Sequence, residues 1–236
     1  MLEKAADMTA GIWLLFYDIA AADRDHYVDW FHRYHIPEKL ARPGYRWAAH
    51  FEAPPPSGSG DLYRYIGMFG GDSTRVFLDP SPAQLKLMQN DETRAMMARR
   101  QNPSSAILAH EWSWFSPADA HAGTASDTPC AGINAPHIQI LTIEGPAHDE
   151  MIGSACAQKL APGFVRHEKA IACHKMINVM GGPRHMMLFA QNDISPAVRG
   201  CGPLDLPLAP DDLSVLTDLG DAVKMTTRWG RRIWPA

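Results

Sequence analysis

The feature that most limits what this chain can fold into is an order of elements that occurs twice. The run GIWLLFYDI (11–19) has strand length, and its Ile, Trp, Phe and Tyr suit a buried strand. An amphipathic helix follows in AADRDHYVDWFHRYHI, where Tyr27, Phe31 and Tyr34 fall at helical spacing beside Trp30 and Asp23 or Asp25 can cap the start. Pro37 biases Ile36 away from the helical region, so the helix is expected to end or kink near His35, and Pro43-Gly44 marks a turn. YRWAAHFEA then alternates, with Tyr45, Trp47, Ala49 and Phe51 on one face and Arg46, Ala48, His50 and Glu52 on the other. LYRYIGMFGG (62–71) reads as a third strand and SPAQLKLMQNDETRAMMARRQ as a second helix with Leu85, Met88, Thr93, Met96 and Met97 near its inner stripe. AILAHEWSWF (106–115) closes the set, and βαββαβ is the ferredoxin-like order.

The stretch SPADAHAGTASDTPCAGINA (116–135) has no apolar period and reads as a linker. Beyond it HIQILTIEG is a strand, AHDEMIGSACAQKLA a helix, and PGFVRHEKAIACH a second copy of the turn and strand at PGYRWAAHFEA. Pro162-Gly163 follows Pro43-Gly44 by 119 residues, and HMMLFA follows YIGMFG by 120. AVKMTTRWGRRIW matches the last strand, with only DDLSVLTDLGD as a second helix. The expected layout is α+β: a ferredoxin-like half over 1–117, a linker over 118–135 and a degenerate ferredoxin-like half over 136–236. Such a unit covers one sheet face with its helices and leaves the other needing a partner. With that partner in the same chain, the two sheets are expected to close face to face around a central cavity, as a pseudo-dimer.

Composition narrows the function classes. With 46% hydrophobic residues the chain can bury substantial cores, and its 22 Lys and Arg are scattered over a net charge of -4, so no phosphate-tracking face and no nucleic-acid partner is expected. The apolar run near the start is too short for a membrane span and poorly shaped for a secretory signal, so no membrane partner is expected. Cys130, Cys156, Cys173 and Cys201 lie far apart without a CxxC pair, which fits reduced cytoplasmic thiols. The 11 histidines include no HExxH or His-x-His pair, and no GxGxxG fingerprint is present, so neither a metal nor another cofactor is expected.

The segment YDIAAADRDHYVDWFHRYHIPEKLARPGYRWAAHFEA resembles the EthD-like proteins of the dimeric α/β-barrel superfamily. These pair a helix ending in a Trp, Glu-His-x-Pro element with a following Leu and Pro-Gly-Phe or Pro-Gly-Tyr. Trp30, His35, Pro37, Leu40, Pro43, Gly44 and Tyr45 match; Tyr34 stands where many relatives carry Glu. In the second half SACAQKLAPGF keeps a Pro-Gly and loses the His-x-Pro. The resemblance implies the fold but no single reaction, since the superfamily includes cofactor-free monooxygenases, isomerases, decarboxylases and other lyases, dehydratases and haem enzymes.

The residues themselves offer several candidates. His35, at an expected helix C-terminus, would be held as imidazolium by the free carbonyls there, suiting an acid or a carboxylate clamp; it could equally fix the corner. Arg46, His50 and Glu52 share a face that is either cavity wall or solvated sheet edge. Arg64 shares a face with Met68, which would belong to an apolar lining; His110 and Glu111 point opposite ways, and Tyr17 and Asp18 pose the same choice. His32 is expected to be solvated, and His167, Lys169, His174, Arg184 and His185 to be surface or structural groups. The leading expectation is a cofactor-independent lyase, a decarboxylase or eliminating enzyme acting on a hydrophobic, aromatic organic acid. Arg46 or Arg64 would clamp the acid, His35 or His50 move the proton, Tyr17 hydrogen-bond a phenol, and Trp30, Met68 and His110 help line the site. An isomerase, a cofactor-free monooxygenase and a non-catalytic small-molecule-binding protein are the alternatives, and homodimer formation is left open.

Overall fold

A computed structural model describes residues 10–53, 61–117, 133, 135–180, 182–193, 206, 208–218 and 220–235. Eight strands among them, β1 (Gly11–Ala20), β2 (Tyr45–Ala53), β3 (Leu62–Gly71), β4 (Gln101–Phe115), β5 (His137–Glu144), β6 (Ala170–Asn178), β7 (His185–Gln191) and β8 (Lys224–Trp234), form one closed barrel in the order β1-β3-β2-β8-β5-β7-β6-β4. Every ladder is antiparallel. The first-half strands lie in the order β4-β1-β3-β2 and the second-half strands in the order β8-β5-β7-β6; β2 joins β8 and β4 joins β6. The fold class is therefore α+β, as expected.

Closure explains why β1 is apolar on both faces. Ile12, Leu14 and Phe16 enter the barrel, while Trp13, Leu15, Tyr17 and Ile19 pack outward under the helices. At the middle of the barrel Leu14, Phe51, Met68, Leu108, Ile140 and Leu188 meet as one buried core. An eight-stranded barrel is about as wide as its own side chains can fill. Ile133 and Ala135 join this core; the rest of the expected linker, 118–132 and 134, lies outside the described residues.

Helices α1 (Arg24–Trp30) and α2 (Ile36–Leu40) form one rod, joined by a π turn at Phe31–His35; α5 (Asp149–Ala155) and α6 (Ala161–Val165) are joined the same way at Cys156–Leu160. The helix thus continues past His35. Proline lacks a donor and its ring crowds the carbonyl four residues back; the wider turn lets Ile36 N–H reach the Phe31 carbonyl, and Ala161 N–H that of Cys156, one residue before Pro37 and Pro162. Pro162 therefore stands where Pro37 stands, not where Pro43 does. Arg24 and Asp149, Phe31 and Cys156, Ile36 and Ala161, and Tyr45 and Ala170 begin matching elements at a common separation of 125 residues, replacing the expected 119. Pro162-Gly163 is helical, Phe164 is buried beneath the second half, and only the first Pro-Gly makes the turn, with Gly44 at φ 82°.

The expected second helix is two short ones, α3 (Pro82–Leu87) and α4 (Asp91–Met97). Ser81 and Gln84 form a capping box on the first, and Asn90 Oδ1 accepts from Thr93 N–H to restart the second. Leu85, Thr93 and Met96 are buried, but Met88, between the two, is 70% exposed. The last helix is α7 (Pro210–Thr217). Among the described residues no helix is long and apolar enough to cross a membrane.

Candidate active site beneath the helix layer

Between the outer face of β1, the start of β4 and helices α2, α3 and α4 lies a pocket of about 560 Å³. Its apolar wall comes from Trp13, Leu15, Leu85 and Met97, and its polar wall includes His35, Lys39 and Arg100. Period-2 alternation delivers Trp13 and Leu15 to the helix side, while the π turn places His35 there. Trp13 Nε1, His35 Nδ1 and Arg100 Nη2 are all buried without a hydrogen-bond partner among the described residues. Buried polar atoms are seldom left unpaired, and these three are open to a ligand group or to water in the cavity.

His35 is 3% exposed and lies between the rings of Trp30 and Phe31, with centroids at 4.9 and 5.3 Å. Burial, reinforced by the positive charges of Arg100, Lys39 and Arg42, holds its pKa well below the usual histidine value. It is therefore a neutral imidazole, in contrast to the imidazolium expected from the sequence: no helix ends there, and the nearby charges are cations. Lys39 is 4% exposed with Nζ 3.4 Å from Glu38 Oε1, and burial lowers its pKa too.

Arg100 is held from below by aromatic rings. Its guanidinium carbon lies 4.1 Å from the centre of the Tyr17 ring, and Nε donates to the Tyr27 hydroxyl at 2.6 Å. Tyr17 hydroxyl is 2.8 Å from His50 Nε2, and His50 Nδ1 is 2.8 Å from His32 Nε2; Tyr17 and Tyr27 also interact hydroxyl to hydroxyl. A neutral His50 has one N–H. The chain is satisfied throughout when His32 donates Nε2–H to His50 Nδ1, His50 donates Nε2–H to Tyr17, and Tyr17 donates to Tyr27. Burial favours this uncharged state: it moves the pKa of His50 well down, that of His32 down to about 4, and that of Tyr17 well up. His32 is half-buried in this chain rather than solvated. Beside the chain, Tyr65 and Arg24 both donate to Glu52, at 2.8 Å to Oε2.

The expected site residues separate. His35 borders the pocket. His50 and Tyr17 are both 0% exposed and lie outside its lining, with the Tyr17 ring beneath the Arg100 guanidinium and His50 hydrogen-bonded to Tyr17. Trp30 backs His35, while Met68 fills the barrel core. Arg46 is exposed and paired with Asp72, and Arg64 is exposed near the start of β3; neither borders this pocket. His110 is remote from the pocket: its Nε2 is 2.7 Å from Ser113 Oγ, which is also 2.7 Å from His174 Nδ1, across the β4–β6 seam. Of the residues expected to be surface or structural, His174 and His185 are buried and hydrogen-bonded, His185 3.1 Å from Asp149. Cys156 and Cys173 are buried free thiols, whereas Cys130 and Cys201 lie outside the described residues. Among the described residues no three His, Cys, Asp or Glu side chains are grouped to hold a metal ion. Arg100, Lys39, Trp13 and Tyr27 were not foreseen as site residues; the one sequence signal for Arg100 was its place in ARRQ, at the end of a helix.

No family model and no curated protein sequence matches the chain. Solved structures do. An anthrone oxidase-like protein matches over 96% of this chain and 92% of its own at a TM-score of 0.61 and 9% identity. A candidate monooxygenase from Fusobacterium nucleatum subsp. nucleatum matches over 95% and 91% at 0.56 and 9% identity, and a candidate chlorite dismutase over 95% and 95% at 0.50 and 12% identity. The monooxygenase and oxidase names are oxidative and neither is a lyase, which goes against the decarboxylase or eliminating reading. At these identities what is shared is architecture, and the chain has the dimeric α/β-barrel fold, closed within a single polypeptide.

Proposed function

We propose that the chain is an oxygen-dependent enzyme, a cofactor-independent monooxygenase acting on an electron-rich aromatic molecule of the anthrone type in the pocket beneath the helices. The observation that carries this reading is the pairing of neutral, buried His35 with the cations of Arg100 and Lys39 around one apolar cavity. An activated methylene between aromatic rings gives up a proton to His35 while the electron-rich anion forms next to Arg100 and Lys39, whose charges stabilise it. The new anion also offsets the repulsion between these cations and the imidazolium. The anion then reacts with dioxygen: a carbon–oxygen bond forms, the resulting hydroperoxide loses water as its O–O bond breaks, and R₂CH₂ plus O₂ becomes R₂C=O plus H₂O. The carbon supplies all four electrons that reduce dioxygen. Trp13 Nε1 and Arg100 Nη2 are free to donate to the developing oxyanion. The oxidative names of structural neighbours support the reaction class, and the matching strand orders support reading the chain as two ferredoxin-like repeats.

Oxygen uptake tests the reading. Purified protein with anthrone at neutral pH should consume one O₂ per anthraquinone formed, above the rate without protein, and product made under ¹⁸O₂ should carry the label. Absence of uptake with anthrone and with related hydroxylated anthrones overturns it.

A further inference from the structure

A second cavity, of about 240 Å³, opens at one mouth of the barrel. Register places its lining inside: Arg228 of β8 pairs with Ile140, and Thr226 with Thr142, so these side chains share the face that forms the core. Arg228 is half-buried with its guanidinium carbon 4.7 Å from the Phe16 ring centre, and it has no ion pair within 4 Å among the described residues. Burial, partly offset by Asp18 and added to by Arg64, depresses its pKa. Asp18 Oδ2 accepts from Asn102, and its Oδ1 is buried without a hydrogen-bond partner among the described residues, so one negative charge faces the two cations Arg228 and Arg64. A half-buried guanidinium with no direct ion pair is costly unless a ligand completes it, and the hydroxyls of Ser104 and Ser105 beside it add neutral donors, while those of Thr142 and Thr226 are hydrogen-bonded to each other.

Phe16, Ser104 and Ser105 line both this cavity and the pocket beneath the helices. The ladder between β1 and β4 is interrupted there, with Phe16 paired to Ser104 and Asp18 to Gln101, and between them Pro103 has no N–H to close it. From this geometry we infer that the barrel mouth is a carboxylate subsite: Arg228 and the surrounding hydroxyls take the acid arm of a ligand whose aromatic body lies in the helix-side pocket. The inference deepens the proposed function by giving its substrate a carboxylate, and it rests on that reading for the identity of the aromatic body.

The test is binding without turnover, so its failure is distinct from a failure of the oxidation. Benzoate titrated into the intact protein, followed by the arginine Nε–H resonances, should saturate and shift the Arg228 signal, with affinity at least tenfold above that of benzamide. Arg228→Met should lose at least tenfold in benzoate affinity, whereas Arg46→Met, on the surface pair with Asp72 and outside both cavities, should bind it normally. Anthracene-2-carboxylate should lose affinity in Arg228→Met and also in Arg100→Met. Equal binding of benzoate and benzamide, or unchanged benzoate binding in Arg228→Met with a wild-type thermal midpoint, overturns the subsite. Anthracene-2-carboxylate that is indifferent to Arg100→Met overturns the continuity of the two cavities.

Discussion

In the proposed reaction His35 and Arg100 divide the work that the sequence spreads over several histidines. His35 touches the pocket and is kept neutral by burial and by cations; His50, His32, Tyr17 and Tyr27 are spent on holding Arg100. His35→Ala should lower kcat for anthrone oxidation by about 10²- to 10⁴-fold, the range of a general base. Arg100→Met should lower it by about 10²- to 10³-fold, the range of one oxyanion donor; steady-state oxygen uptake on folded variants measures both. Because the pKa of His35 lies well below 6.5, kcat/KM should stay level as pH falls from 8 through 6.5 and decline only below that, which a pH–rate profile reads. Stability follows the same sign. His174 is 1% exposed with its pKa down to about 3, so above 6.5 both folded and unfolded forms are neutral. Below 6.5 the unfolded chain binds the proton first, and stability falls by about 1.4 kcal/mol per pH unit until the folded pKa is reached. Urea unfolding at pH 6, 5 and 4 should show that slope reduced by about this amount in His174→Gln. His35 was legible in the sequence through its place before Pro37. Arg100 was not, because a cation at a helix end is an ordinary partner of the helix dipole, and only the convergence of β1 and α1 brings Tyr17 and Tyr27 beneath it.

At the scale of elements, strand and helix order was readable because apolar periodicity sets it: β1, β2 and β3 lie where alternation and apolar runs placed them. Two features were hidden. The Pro-Gly pair at 162–163 carries a turn signal that a helical context overrides, since proline is accommodated in a first helical turn. The polar-looking face of β2, with His50 and Glu52, is covered by the helix rod, so a pattern that reads equally as cavity wall or solvated edge is a buried hydrogen-bonded layer. The same strands contain a tight contact: a Cβ on Gly70 of β3 would lie 1.9 Å from Trp47 Cε2 on β2. Gly70→Ala should therefore push the indole aside and destabilise the protein by about 1–3 kcal/mol, as overpacking does; the denaturant midpoint at unchanged m-value measures it.

For the whole molecule, closure of the barrel was implied by the double set of strands, whereas the location of the cavity was not. Whether a barrel interior is hollow depends on strand stagger and side-chain volume, which a one-dimensional pattern does not contain. The β2–β8 and β4–β6 seams and the shared interior make each half dependent on the other. Residues 1–117 expressed alone should accordingly elute as a dimer or aggregate; a stable monomer by light scattering would contradict that dependence. The central claim is that chemistry occurs under the helices and not inside the barrel. A crystal structure of the protein with anthraquinone tests it most directly. The account predicts the rings between Leu15, Leu85 and Met97 with a carbonyl oxygen within hydrogen-bond reach of Arg100, and the claim is contradicted if the rings occupy the barrel or lie remote from His35.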